Sequence, residues 1–165
     1  MTELLDVYTI DGVKTGEVVE RYKHKKSGAY YLCPHAYILT PDKRFIIQKR
    51  SGKKKYFPGI WDITCGAAES GETSLEAILR EVREELGLDL SHAEVKYIGR
   101  SIFDDCLNDV YLFYTDFCAD DCAFDKSEVE EVKAVDKEEI LCLIKNSQFK
   151  DDNYYEMIKS FIENV

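Results

Sequence analysis

The sequence predicts a single domain of the α/β class, and three observations lead to this prediction. The chain has 165 residues, 45% of them hydrophobic and 33% charged, which is ordinary for one globular domain with its own core. An amphipathic helix is predicted near the middle of the chain. Strand-like segments lie on both sides of that helix, and further helices are predicted over residues 136 to 165.

The segment before the central helix is predicted to form two β-hairpins. Residues 1 to 30 form an N-terminal hairpin extension, because apolar residues such as Leu5 and Val18 lie on either side of the turn dipeptide Asp11-Gly12. Strands over residues 33 to 39 and 44 to 49 follow, joined by a turn around Pro41. We expect this second pair of strands to lie in the main sheet.

The central helix is predicted over residues 74 to 86. Apolar residues recur there at helical spacing, at Leu75, Ile78, Leu79, Val82 and Leu86. Thr73 and Glu76 have the spacing of a capping box, and Gly87 suits the left-handed residue that ends a helix.

After the helix, the pattern predicts strands over residues 93 to 103, 109 to 117 and 128 to 135, with a turn over residues 104 to 108. Asp136 and Glu139 have the spacing of a helix cap, so a helix is expected to about Lys145. A last helix is predicted over residues 151 to 164.

Three carboxylates converge on the central helix. Glu81, Glu84 and Glu85 stand at positions i, i+3 and i+4, beside the apolar stripe. Like charges at this spacing cost about 0.2–0.5 kcal/mol a pair in an isolated helix. A hard divalent cation with oxygen ligands, Mg²⁺ or Mn²⁺, would offset the repulsion. Arg80 and Arg83 are the alternative, since they could neutralise part of the cluster instead.

A basic and aromatic segment precedes the helix. It carries Lys49, Arg50, Lys53, Lys54 and Lys55 within seven positions. Such a run is usually a solvated face, but its place before the acidic cluster makes contact with a pyrophosphate equally well supported. The aromatic residues that follow, Tyr56, Phe57 and Trp61, are typical of core and loop packing, with a stacking surface for a base as the alternative.

Charge and composition exclude several classes of partner. The net charge of −10 argues against binding to nucleic acid or to an anionic membrane surface. The six cysteines are scattered without a CxxC pair, which favours reduced thiols. The first ten residues lack the apolar core of a signal peptide, and no apolar run approaches about 20 residues, so a cytoplasmic protein is expected. The pattern leaves open whether the protein is a monomer or a homodimer.

The stretch from residue 66 to residue 88 carries a nine-position signature. Its defined positions are Gly66, Glu72, Arg80, Glu81, Val82, Glu84, Glu85, Gly87 and Leu88. The stretch resembles the Nudix box in every one of these positions. The resemblance implies an α/β/α sandwich with a mixed sheet, and a pyrophosphohydrolase that cleaves a small-molecule diphosphate with Mg²⁺.

The resemblance also implies roles for individual residues. Glu84 and Glu85, with Glu81 and the Gly66 carbonyl, would hold one to three Mg²⁺ ions, and Glu81 or a later glutamate would accept a proton from water. Arg80 would position the carboxylates, and Glu72 would tie the loop to the helix. Three groups of further residues are expected near the site: Arg50, Lys53 and Lys55 for the substrate, Glu128, Glu130 or Glu131 as a later carboxylate, and Cys65.

Residues 3 to 90 resemble in particular the branch that contains type I isopentenyl diphosphate isomerase. That enzyme uses a cysteine just before the box glycine, and Cys65 lies there, although a buried small residue is the more common reason for such a cysteine. The isomerase also uses a histidine where this chain has Tyr30 and Tyr31, and its own box is degraded. The intact box therefore favours hydrolysis over isomerisation, and also over a ligand-sensing module without activity.

Overall fold

The computed structural model describes residues 3–22, 27–150, 159 and 162. Seven strands precede the central helix: β1 (Leu4–Tyr8), β2 (Lys14–Glu20), β3 (Tyr31–Leu32), β4 (His35–Leu39), β5 (Phe45–Arg50), β6 (Trp61–Asp62) and β7 (Thr64–Cys65). The central helix is α1 (Ser74–Leu86). It is followed by β8 (Glu94–Phe103), β9 (Cys106–Tyr114), a 3-10 turn (Ala119–Asp121), β10 (Val129–Val135) and α2 (Lys137–Lys145).

The main sheet is mixed, as predicted. Its strands run in the order β10-β5-β4-β9-β3, while β6 pairs with β5, β7 with β4 and β8 with β9. Strand β4 lies parallel to β9 and antiparallel to β5, so both kinds of pairing meet in the centre. The predicted α/β fold with a mixed sheet is therefore confirmed.

The two faces of the sheet pack against different helices. Val82 and other apolar residues of α1 pack against Ile38 and Phe113. Ile140 of α2 packs in a second cluster with Tyr37 and Leu112. Neighbouring residues of a strand point to opposite faces, so Tyr37 and Ile38 assign the two clusters to opposite sides of the sheet. The sheet thus lies between α1 and α2.

The N-terminal hairpin forms a separate two-stranded sheet of β1 and β2. It is held against the loop that precedes α1. The carboxylate of Asp6 accepts hydrogen bonds from the Ser70 hydroxyl at 2.7 Å and from the Gly71 N–H at 3.0 Å. Lys14 of the same hairpin is 2.6 Å from Asp6. The hairpin and the loop of the box are therefore joined by one partly buried carboxylate.

Helix α1 begins and ends as predicted. Thr73 and Glu76 form both hydrogen bonds of the capping box, and Gly87 takes the left-handed conformation with a φ of 71°. Helix α2 also has the predicted cap, since Asp136 accepts a hydrogen bond from the Glu139 N–H.

The predicted turn over residues 104 to 108 is wrong in its length. Strand β8 continues to Phe103 and β9 begins at Cys106, so the turn holds two residues. Asp104 takes a φ of 54°, a left-handed conformation that aspartate tolerates and that a tight hairpin requires. Leu107 and Asn108 are consequently buried in β9.

Two further points concern the helices. The helix predicted over residues 151 to 164 lies outside the described residues, apart from 159 and 162, which are helical. Within the described part of the chain, no helix is long and apolar enough to cross a membrane.

Candidate active site

Gly66 brings the loop of the box against the central helix. A Cβ atom added to Gly66 would lie 2.1 Å from the carboxyl carbon of Glu81, much closer than two carbon atoms can approach. Glycine therefore lets the Glu81 carboxylate rest against the backbone of the loop. Burial raises the pKa of Glu81 above its ordinary value, although the neighbouring Arg80 opposes the shift.

Arg80 joins the acidic residues of the box. Its guanidinium donates to Glu72 at 2.9 and 3.0 Å, to Glu81 at 2.8 Å and to Glu84 at 3.2 Å. It also donates to the Ala67 carbonyl at 3.1 Å. Two nitrogens bind the two oxygens of Glu72, which is the strong bidentate arrangement that only arginine offers. Arg80 thus fixes the loop, the helix and two carboxylates relative to one another.

Glu85 lies deeper than the other two carboxylates. Its Oε2 accepts a hydrogen bond of 2.5 Å from the Gln48 side chain in β5. Burial raises the pKa of Glu85 to about 7, an effect that Gln48 reduces and that the nearby Glu81 carboxylate increases. The Gln48 Oε1 atom is buried and has no hydrogen-bond partner among the described residues. Gln48 was not among the predicted site residues. The sequence feature that could have indicated it is a polar residue directly after the apolar residues of β5.

The donor set fits a hard divalent cation in its chemistry. Glu81, Glu84 and Glu85 offer carboxylate oxygens, and a buried carboxylate without a cation is costly to ionise. As they stand, no three histidine, cysteine or acidic side chains of the described residues lie close enough together to hold a metal ion. Glu84 is 60% exposed and is held by Arg80 at 3.2 Å.

A cavity of about 570 Å³ adjoins this cluster at Cys65, Gly66 and Ala67. Cations from four separate segments line it: Arg21, Arg50, Lys55 and Lys150. Gly66 connects the cavity to the acidic cluster, since Glu81, Glu84 and Glu85 do not themselves line it. Three acids, Glu20, Asp104 and Asp105, also line the cavity, so an anion would meet four cations and three carboxylates there.

The predicted basic residues separate into two groups. Arg50 and Lys55 line the cavity, whereas Lys53 does not. Lys54 forms an ion pair with Glu128, just before strand β10, and Lys49 lies 3.2 Å from Glu130 within that strand. Arg21 and Lys150 were missed in the sequence, because they are far from the box along the chain and reach the cavity only through the fold.

Two tyrosine rings lie at the rim of the cavity. The rings of Tyr22 and Tyr56 are stacked at 6.2 Å between centroids with 20° between their planes, and they are 73% and 48% exposed. Arg21 lies 5.0 Å from the Tyr22 ring and Lys55 lies 5.1 Å from the Tyr56 ring. Trp61 instead packs against the core, with Lys133 over its ring.

Cys65 faces the same cavity. The Lys150 ammonium and the Asp62 carboxylate each lie 3.7 Å from its sulfur atom. His35 is the cross-strand neighbour of Cys65, and its burial, together with the charge of Lys150, holds the pKa of His35 well below its ordinary value. Glu128, Glu130 and Glu131 do not line the cavity.

Asn108 of β9 lines the cavity from the opposite wall. Its side chain is 1% exposed, and neither the Nδ2 nor the Oδ1 atom has a hydrogen-bond partner among the described residues. An unsatisfied buried polar group costs about 1–3 kcal/mol, so such groups are rare in folded proteins. The sequence places Asn108 at the end of a predicted turn, within a segment expected to contribute to specificity, whereas the structure places it inside strand β9.

Comparison with known proteins identifies the family. A family model described as the NUDIX domain matches residues 34–158. The chain belongs to the Nudix family. An uncharacterized Nudix hydrolase of Listeria monocytogenes is 33% identical over 138 residues, which cover 82% of this chain and 80% of the relative. Diphosphate hydrolysis is general to Nudix hydrolases, and the relatives indicate a Nudix pyrophosphohydrolase.

Two further comparisons concern the branch and the fold. The isopentenyl-diphosphate Delta-isomerase of Escherichia coli is 28% identical over 99 residues, which cover 59% of this chain and 54% of that enzyme. The crystal structure of DR0079 from Deinococcus radiodurans matches with a TM-score of 0.75 at 22% identity, over 96% of this chain and 98% of that one. The predicted resemblance to the Nudix family and to its isomerase branch is therefore confirmed.

Proposed function

We propose that the protein is a Mg²⁺-dependent hydrolase that cleaves a diphosphate linkage in a nucleoside diphosphate or a related X-linked diphosphate. The observation that carries the proposal is the complete acidic cluster of the Nudix box, which Arg80 and Gln48 hold beside a cavity whose lining includes four cations. A diphosphate resists hydrolysis because its charged oxygens repel a nucleophile. Cations that neutralise those oxygens and a carboxylate that receives a proton from water lower this barrier.

Each part of the site has a role in this proposal. Glu84 and Glu85, together with Glu81 and the Gly66 carbonyl, hold Mg²⁺, which would polarise the diphosphate and activate water when bound. Mn²⁺ has similar ligand preferences and could replace it. Glu81 or a later glutamate would accept the proton from water, and Glu81 is the first candidate because its carboxylate lies against Gly66, which lines the cavity. Arg80, which is itself bound to Glu72, holds Glu81 and Glu84 in position, and Gln48 holds Glu85.

The cations of the cavity provide the substrate contacts. Arg21, Arg50 and Lys55 reach the cavity from the hairpin, from β5 and from the following loop. Arginine pairs with phosphate oxygens through two parallel hydrogen bonds, so Arg21 and Arg50 are the strongest candidates. Lys53, which lies outside the lining, is expected to contribute only through its long-range charge.

The proposal is tested by removing the charge of the proposed metal ligands. We expect Glu84→Gln and Glu85→Gln to lower Mg²⁺-dependent turnover by about 100-fold or more, since a misplaced catalytic cation costs at least that much. The measurement is release of phosphate, after coupled digestion, from nucleoside di- and triphosphates, nucleotide sugars, dinucleotides and isoprenoid diphosphates. The control is Glu138→Gln, an exposed glutamate on α2. Unchanged turnover in both box variants would reject the metal assignment.

Isomerisation of an allylic diphosphate is the second candidate, because Cys65 lines the cavity beside Lys150. The two candidates make opposite predictions for Cys65→Ala. A hydrolase of the proposed kind should retain its turnover within about threefold, because the thiol lies outside the acidic cluster. An isomerase should lose its activity, and its wild type should convert isopentenyl diphosphate without releasing phosphate.

A further inference from the structure

We propose that Asn108 determines substrate specificity by hydrogen-bonding the group attached to the diphosphate, and that this group presents a donor and an acceptor side by side, as the edge of a nucleobase does. The inference rests on the proposed hydrolase function and adds the class of substrate to it. It gives a substrate-binding role to the part of the cavity wall that Asn108 of β9 forms, across from Gly66 of the box.

Strand pairing fixes the direction in which Asn108 points. Cys65 pairs with His35 across the sheet, and His35 pairs with Val110 of β9. Paired residues share a face of a sheet, and so do residues two apart in a strand. Asn108 therefore faces the same side as Cys65 and His35, and all three residues line the cavity.

The box and Asn108 stand at a separation that suits a substrate. Cys65 and Val110 are two strands apart, which is about 10 Å across the sheet, and Asn108 lies two residues further along β9, about 7 Å. A diphosphate at Gly66 can therefore reach Asn108 only through an intervening group such as a sugar ring. The substrate would lie across the face of the sheet, with its charged end beside the acidic cluster.

The side chain of Asn108 is prepared for a ligand. Its amide nitrogen and its carbonyl oxygen are both buried and both lack a hydrogen-bond partner among the described residues. Ser101 pairs with Asn108 across strands β8 and β9, and its buried hydroxyl oxygen also lacks a hydrogen-bond partner among the described residues. Asn108 and Ser101 form a polar patch on one face of the sheet, and Asn108 is the one of the two that lines the cavity. A folded protein keeps such a patch when something binds there.

The chemistry of a carboxamide selects the ligand. It offers one acceptor and two donor hydrogens in a single plane, and it matches a group in which a donor and an acceptor are adjacent, as in asparagine pairing with adenine. A hydrocarbon chain offers neither, and it would leave the buried amide unsatisfied. The patch thus favours a nucleoside diphosphate over an isoprenoid diphosphate.

The test combines binding with stability. Three proteins are compared, the wild type, Asn108→Leu and Asn108→Asp, and the probes are ADP, GDP, CDP, UDP and isopentenyl diphosphate. Affinity is measured by calorimetry with Ca²⁺, which takes the same oxygen ligands as Mg²⁺. Thermal unfolding of the free proteins is measured in parallel.

We expect the wild type to bind at least one nucleoside diphosphate more tightly than isopentenyl diphosphate. Both variants should bind that nucleotide at least about tenfold more weakly and bind isopentenyl diphosphate as the wild type does. The reason is that the paired hydrogen bonds of the carboxamide are lost while the contacts to the diphosphate remain. The free Asn108→Leu protein should unfold at the same or a higher temperature, since the variant removes an unsatisfied amide.

Three results would overturn the inference. Equal loss for every diphosphate would indicate a general effect on the cavity. Unchanged binding with a lower unfolding temperature in Asn108→Leu would indicate that Asn108 is structural. If the wild type binds isopentenyl diphosphate more tightly than every nucleoside diphosphate, the assignment of a nucleobase as the ligand of Asn108 is rejected. A wild type that binds none of the five probes would instead reject the proposed function itself, and the inference with it.

Discussion

At the scale of a residue, Gly66 decides where a carboxylate of the box lies. The Cβ of an alanine there would overlap the Glu81 carboxyl group, and a flexible glutamate side chain can move away from it at little cost to the fold. The carboxylate would then leave the edge of the cavity. A small change of volume is thus expected to affect chemistry more than stability.

We expect Gly66→Ala to lower turnover by about 100-fold, since displacement of a catalytic group by about 1 Å has that effect. The unfolding temperature should change by no more than a few degrees. Gly52→Ala is the matched control, because no atom lies within 4 Å of the Cβ it would add. A variant at residue 66 that remains fully active would show that the position of Glu81 is not critical.

At the scale of an element, the N-terminal hairpin is part of the site. Strand β2 ends beside Arg21 and Tyr22, and both residues line the cavity. The hairpin is held by Asp6, which bonds Ser70 and Gly71 of the box loop. The part of the cavity wall that Arg21 and Tyr22 form and the loop of the box are therefore joined through the same carboxylate.

The charge of Asp6 makes this attachment sensitive to acid. Lys14 and Ser70 lower the pKa of Asp6 from 3.8 to about 2. Because the pKa is lower in the folded state, Asp6 contributes stability above about pH 4, and this contribution is lost as the pH falls towards 2. Wild type should therefore lose more stability than Asp6→Asn between pH 5 and pH 2, with unfolding midpoints in urea as the measurement.

The hairpin also provides the control for that measurement. Asp11 lies in its turn and makes no side-chain hydrogen bond within the described residues. Asp11→Asn should follow the wild type over the whole pH range. An acid response of Asp6→Asn equal to that of the wild type would assign the acid sensitivity to other carboxylates.

At the scale of the whole molecule, the sequence predicted those features that depend on the spacing of neighbouring residues. The limits of α1, its capping box and the glycine that ends it follow from neighbouring residues, and the structure agrees with all of them. These features of α1 depend on interactions within a few residues of one another. The mixed sheet, which pairs strands that are distant along the chain, was implied by the resemblance to the Nudix family.

Features that depend on strand register could not be predicted in this way. Asn108 enters the cavity because β9 begins at Cys106 and not after a longer turn. Gln48 meets Glu85 because β5 lies under α1, and Lys150 meets Cys65 across 85 positions of the chain. A single sequence shows the chemistry of such residues but not their neighbours.

The cavity has a consequence for the order of folding. Its walls come from Leu5, Arg50, Asn108 and Lys150, so they close only when contacts that are distant along the chain have formed. Such contacts pay the entropy of loop closure first and form slowly. The box, whose residues are neighbours in sequence, can assemble earlier. A partly folded chain would therefore carry the acidic cluster of the enzyme before it has any place to hold a substrate.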